Sequence, residues 1–196
     1  MMNEYCFKLN LNLEPLRQDV DINTLPKERW NLIPIDLINP ELINFLKTKE
    51  VSISVISSFY DGGTNFDQNI HIDAPSMCDM TKLIWVWGQH HIMNWYLPED
   101  QNNCNFSVDS NSTNPDHGIR NYSSYDRQTV KVVHTSKIGF PSLIQVGIPH
   151  KGINFAGVRR SLTVILNDLN NNIIPMNRAK SIFESYIETL FRESTD

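Results

Sequence analysis

The sequence predicts a mainly β protein, a β-sandwich or jelly roll buttressed by helices near both ends. Three observations point there. Several runs alternate polar and apolar residues with the period of two that a half-buried strand requires. The two segments with helical rhythm lie outside the strand-rich middle. The regular strand–helix alternation and Gly-rich phosphate loop of a parallel nucleotide-binding sheet are both missing.

The first strand signal is Phe7, Leu9, Leu11 and Leu13, which alternate with polar neighbours until Pro15 stops the pattern. Helical signals follow at Asn39-Pro40-Glu41: a capping side chain, a proline suited to the first turn, and an acid at the positive end of the dipole. Leu42, Phe45 and Leu46 then fall on one face. Alternation returns over 51–60 (Val51, Ile53 and Val55 against Ser52 and Ser54), and Asp61-Gly62-Gly63 reads as a turn. Further strands are expected at 70–72, 82–87, 130–133, 143–148 and 159–166. The polar stretch 98–127, rich in Asn, Ser and Asp, reads as a long loop or a pair of loops, the place where selectivity for a substrate would sit. A closing amphipathic helix is expected over 178–192, capped by Asn177, with Ala179, Ile182, Phe183, Tyr186, Ile187, Leu190 and Phe191 on its apolar face.

Length and composition narrow the class. The 196 residues suit one domain spanning 1–196, and 40% hydrophobic with 20% charged residues is ordinary globular chemistry. A net charge of −5 lacks the basic excess of a dedicated nucleic-acid binder. Cys6, Cys78 and Cys104 form no CxxC pair, so neither a disulfide framework nor a zinc ribbon is expected. No signal-peptide core is seen, and no apolar stretch approaches the roughly 20 residues a membrane helix needs. A soluble, cytoplasmic protein with reduced thiols is the expectation.

The chemistry centres on His71-Ile72-Asp73. On a strand, residues two apart project to one side, so an imidazole and a carboxylate stand together. A histidine from another strand would complete a two-histidine, one-carboxylate set that holds one face of an octahedral metal and leaves the other open. His90, His91, His117, His134 and His150 are the available histidines. His150 has the best setting, closing the apolar run that begins at Ile144. His90 and His91 face opposite ways if extended and read as a surface loop, His117 falls in the polar loop, and His134 follows a strand. Downstream, Arg159 and Arg160 open an apolar strand. A buried guanidinium is costly without an anionic partner, and its planar fork suits a carboxylate. Strand parity puts Arg159 on the face of Ser161 and Thr163, and Arg160 on that of Leu162 and Val164.

In order, His71-x-Asp73, Pro149-His150 and Arg159-x-Ser161 resemble the HxD…H…RxS pattern of the 2-oxoglutarate and Fe(II)-dependent dioxygenases. The likeness extends to Phe59-Tyr60, to Lys82-Leu83-Ile84-Trp85-Val86-Trp87-Gly88 and to Trp95-Tyr96, and covers roughly residues 50–166. It is similar in particular to small phage and bacterial members. The resemblance implies a double-stranded β-helix and Fe(II) held by His71, Asp73 and His150. It further implies 2-oxoglutarate held by Arg159 with Ser161, with Arg160 the competing arginine that strand parity disfavours, and O2 as oxidant. Substrate C–H hydroxylation with release of succinate and CO2 is the implied reaction. Ile84 stands where related sequences often carry Asn, and Tyr60 is a candidate to contact 2-oxoglutarate in compensation. The substrate is left open among a protein side chain, a nucleobase and a small metabolite. The competing expectations are a non-catalytic jelly-roll binding or assembly protein and a cupin-type metalloprotein with another ligand set.

Overall fold

The computed structural model describes residues 5–28, 30–63, 69–73, 77–99, 106–109, 122–125, 129–139 and 141–188. Within them twelve strands build two antiparallel sheets. In chain order these are β1 (Cys6–Lys8), β2 (Asn31–Leu32), β3 (Ser52–Asp61), β4 (Ile70–Ile72), β5 (Thr81–Trp87) and β6 (His90–Pro98). They continue with β7 (Phe106–Asp109), β8 (Tyr122–Tyr125), β9 (Val130–Ser136), β10 (Ser142–Gln145), β11 (His150–Ala156) and β12 (Arg159–Asn167).

One sheet has the order β1-β10-β5-β12-β3-β2, the other β7-β8-β4-β11-β6-β9. From β3 to β6 the chain steps to the opposite sheet at every strand, and it does so again from β9 to β12. The first of these strands, β3, pairs with the last, β12. This winding is the double-stranded β-helix, or jelly roll.

Directly paired residues share a face, so register assigns each side chain of the first sheet. Arg160 opposite Tyr60 and Trp87, Leu162 opposite Ser58 and Trp85, and Val164 opposite Ile56 and Leu83 form the outer face. This face buries Leu83, Trp85, Leu162 and Val164 against the N-terminal segment and two helices, α1 (Pro40–Thr48) and α2 (Met176–Ile182). Leu42 and Leu46 of α1 are almost fully buried there, each contributing about 2 kcal/mol of apolar burial. The Asn39 side chain caps α1 by accepting from the Glu41 amide at 2.9 Å. The inner face carries Lys82, Ile84, Val86, Phe59, Arg159 and Ser161. Its apolar members Ile84, Val86 and Ile165 meet Met93, Trp95, Ile144 and Val146 in a second core between the sheets.

Several expectations differ from the structure. The polar stretch 98–127 begins on the last residue of β6, Pro98, and contains β7 and β8, a pair that extends the second sheet beyond β4; residues 100–105, 110–121 and 126–127, His117 and Cys104 among them, lie outside the described ones. His150 does not close the strand beginning at Ile144. That strand, β10, ends at Gln145, a turn through Pro149 follows, and His150 opens β11. His91 is not on a surface loop: it sits within β6, 2% exposed, bonded through Nε2 to the Ile138 carbonyl. The closing helix stops at Ile182, and a 3-10 turn (Glu184–Tyr186) follows it. Ile187 then bridges to Leu9, and the Glu188 amide donates to the Lys8 carbonyl at 2.9 Å, so sheet-edge pairing displaces the helical continuation. Pro175, rather than Asn177, occupies the cap; residues 189–192 lie outside the described range. No helix among the described residues is long and apolar enough to cross a membrane.

A candidate metal centre between the sheets

His71 and His150 are direct cross-strand partners in the pairing of β4 with β11. Their rings therefore project together, with centroids 4.4 Å apart. Asp73 follows β4 immediately, and its amide donates to the Val146 carbonyl at 3.0 Å, tying it to the turn that precedes His150. The three side chains offer ligand atoms that all lie within 4.8 Å of one another. His71 Nε2 stands 3.6 Å from Asp73 Oδ1, and His150 Nε2 stands 3.8 Å from Asp73 Oδ2. These gaps exceed hydrogen-bond length and suit donors arranged around a shared cation.

Both imidazoles are oriented by the same device. His71 Nδ1 lies 2.8 Å from the Asn69 carbonyl, and His150 Nδ1 lies 2.9 Å from the Ile148 carbonyl. A carbonyl only accepts, so each Nδ1 carries the proton and each Nε2 turns a lone pair inward. This is the tautomer a divalent metal needs, with the orienting partner already in place.

Electrostatics agree with neutral imidazoles and a charged carboxylate. Burial pushes the His150 pKa down to about 3, with His71 adding to the depression. Burial also lowers that of His71. Burial alone would raise the Asp73 pKa, but the Lys82 ammonium and the two histidines outweigh it and hold the carboxyl well below the usual range. Lys82, from the inner face of β5, donates to Asp73 Oδ2 at 2.7 Å. Sequence reasoning quoted Lys82 only within a longer resemblance. The signal was available, because a lysine entering the apolar run Leu83-Ile84-Trp85-Val86 poses the same burial problem as Arg159.

A pH dependence follows for the metal-free protein. The unfolded chain takes up a proton on residue 150 near the ordinary 6.5, whereas the folded site resists until about 3. Between those values the unfolded state binds more protons, so stability is present above 6.5 and is lost as the pH falls. Melting in the presence of chelator should drop steadily from about pH 7.5 to about pH 5, and His150→Gln should flatten the slope. A wild-type melting temperature constant across that range would refute the burial argument.

Arg159 lies on the inner face, 8% exposed, with its guanidinium 5.5 Å from the Phe59 ring. It makes no hydrogen bond among the described residues, and its Nε is buried without an acceptor. Burial lowers its pKa to about 10, partly offset by Asp61, its cross-strand partner. Ser161 is buried two residues on, facing the same way. Arg160 points outward instead, its guanidinium over the Tyr60 ring at 4.6 Å and donating to the carbonyls of Leu25 and Asn23 at 3.4 Å each. Tyr60 is thus on the face away from the triad, as the parity of β3 dictates, and it is not carried further. His134 is half-buried, its ring 5.6 Å from that of Tyr5 and 5.4 Å from that of Trp95, and it does not join the triad.

No family model matches the chain, and no curated protein matches it. Among solved structures it is similar to an oxalate oxidase in complex with the substrate analogue glycolate, at 13% identity and a TM-score of 0.35. That match covers 82% of this chain and 61% of the oxidase, so the chain spans about three fifths of that relative. Peruvianin-I, a cysteine peptidase from Thevetia peruviana latex, matches at 11% identity and 0.34, covering 89% of this chain and 95% of its own. EctD from S. alaskensis, with 2-oxoglutarate and 5-hydroxyectoine, matches at 12% identity and 0.29, covering 86% of each chain. Likenesses this weak, to proteins of such different chemistry, carry no functional weight. Strand order and donor geometry define the class: a jelly-roll protein with a His–Asp–His cluster fit for a metal.

Proposed function

We propose that the protein is a non-haem Fe(II), 2-oxoglutarate-dependent dioxygenase that hydroxylates a substrate C–H bond. The observation that carries this reading is the convergence of His71, Asp73 and His150, each imidazole held with its Nε2 inward. Two neutral nitrogens and one carboxylate suit Fe(II) with open positions, whereas structural zinc favours closed, thiolate-rich sets. Arg159 supports the co-substrate assignment: a buried guanidinium with an unsatisfied Nε needs an anion, and the distal carboxylate of 2-oxoglutarate supplies one. Ser161 would add a hydroxyl beside it.

When bound, iron and 2-oxoglutarate supply the oxidation: O2 is consumed, 2-oxoglutarate becomes succinate and CO2, and one oxygen atom enters the substrate. The chain's own residues bind, orient and exclude water. His71, Asp73 and His150 would hold one face of the metal, while Arg159 would fix the diacid by its far end. The apolar side chains of Ile84, Val86 and Ile165 keep the interior dry.

Anaerobic addition of Fe(II) and 2-oxoglutarate should give a visible charge-transfer band, and O2 should then release succinate. Arg159→Ala should raise the Kd for 2-oxoglutarate about 100-fold, since a charge-assisted contact to a buried carboxylate is lost, with little change in metal affinity. Absence of both band and succinate in the wild-type protein would sink the assignment. The Lys82–Asp73 pair favours one second reading, a non-catalytic jelly-roll protein in which the cluster is only a polar network. Such a protein would bind no Mn(II).

A further inference from the structure

Lys82 is largely sequestered where it works against a metal. Its side chain is 12% exposed, it lies on the inner face opposite Ile165, and its Nζ is 2.7 Å from Asp73 Oδ2. That oxygen also faces His150 Nε2, so one carboxylate is shared between two imidazoles and an ammonium. Asp73 is the cluster's sole anionic ligand. A fixed positive charge on it both neutralises that anion and repels an incoming cation.

We propose that Lys82 sets the order in which the site is filled, by weakening divalent-metal binding on its own and making it depend on a dicarboxylate. The inference rests on the metal and co-substrate reading given above. With the Arg159 charge balanced by its cross-strand partner Asp61, the metal-free cluster is neutral when Lys82 is present, and a divalent ion leaves it with two positive charges. A dicarboxylate dianion then restores neutrality. Without Lys82 the ion would leave a single positive charge, and the dianion would overshoot. The lysine therefore transfers part of the metal's affinity from the empty site to the site that also holds the diacid. It is a positioning residue acting through Asp73, and its effect lies in binding rather than in the chemical step. Oxidant-generating iron is thereby retained mainly when co-substrate is present to use it.

The experiment is a titration with Mn(II), following the free-ion electron paramagnetic resonance signal, with and without 2-oxoglutarate under exclusion of Fe(II). Wild type, Lys82→Met, Lys82→Gln, Lys82→Arg and Asp73→Asn are compared. Lys82→Met should bind Mn(II) alone roughly tenfold more tightly than wild type, and 2-oxoglutarate should tighten its binding correspondingly less. Lys82→Gln should behave as Lys82→Met, and Lys82→Arg as wild type. Equal or weaker Mn(II) binding in both neutral variants overturns the role of Lys82 while leaving the metal site standing. So does a wild-type affinity that 2-oxoglutarate fails to raise, a readout that needs no variant to fold. If the wild-type protein binds no Mn(II) in either condition, or Asp73→Asn binds it as well as wild type, the metal centre itself is refuted.

Discussion

Asp73→Asn is expected to lower Mn(II) affinity by at least about 100-fold, since removing a ligand should cost no less than removing the partners that orient one. The amide oxygen can still accept from Lys82, so the fold should persist with the metal site disabled. Asp73→Ala adds a second loss. The Lys82 ammonium is then left largely buried and unpaired, which costs on the order of 3 kcal/mol. The two variants therefore separate ligation from stability: equal loss of metal, but a clearly lower melting temperature only for alanine. Isothermal titration with Mn(II), together with thermal melts in chelator, reads both quantities. Undiminished metal binding by Asp73→Asn would refute the three-ligand centre and leave the carboxylate to Lys82 alone. His150→Ala should likewise lose the metal. It removes a buried imidazole that resists protonation, so its melting temperature should hold up better at acid pH than that of wild type.

The second large effect is steric. A Cβ added at Gly147 would stand 2.1 Å from the Cys78 carbonyl oxygen and 2.8 Å from the Cys78 Sγ. Backbone cannot yield there cheaply, because the two segments are zipped together. The Cys78 amide donates to the Gly147 carbonyl at 2.9 Å, and the Val146 amide donates to the Met80 carbonyl at 2.8 Å. Asp73 hangs from the same turn through Val146. Gly147→Ala should cost about 3 kcal/mol in chemical denaturation, as an overpacked site with a displaced backbone does, and should weaken Mn(II) binding by moving Asp73. Gly139 is the control, since a Cβ there would meet nothing within 4 Å. Gly139→Ala should be neutral or slightly stabilising. Wild-type stability in Gly147→Ala would show that the turn opens freely.

The readable parts of the fold are those where one face differs chemically from the other. Residues 51–55 alternate because Ser52 and Ser54 are exposed while Val51, Ile53 and Val55 pack into the cores, and Asn39-Pro40-Glu41 announces α1 by local capping alone. β6 carried no such signal, since its buried face opens on a histidine, His91, while its half-buried face carries Ile92, so hydropathy does not follow the alternation of burial. β7 and β8 were hidden by their shortness: Phe-Ser-Val-Asp and Tyr-Ser-Ser-Tyr are four residues each, too few for a period of two to stand out within a polar stretch. The end of α2 was misread because Ile187 keeps helical spacing while its backbone is taken by Leu9, a long-range contact that periodicity does not register. At the site, HxD spacing and the parity of Arg159 and Ser161 were visible from strand geometry alone. The burial cost of Lys82 was visible in the same way, but its partner Asp73 was not, because that contact joins opposite sheets through side chains whose reach the sequence does not encode.

Closing the jelly roll by pairing β3 with β12 has a temporal consequence. On a ribosome, the aspartate and the first histidine emerge long before the second histidine, and the strand that completes the hydrogen-bonded ring comes last. A nascent or truncated chain ending before Asn167 has no closed cage in which to trap a transition metal, and its early half cannot be templated by one. Contacts so distant along the chain also make assembly slow. The protein would thus acquire any metal as a finished body rather than fold around it.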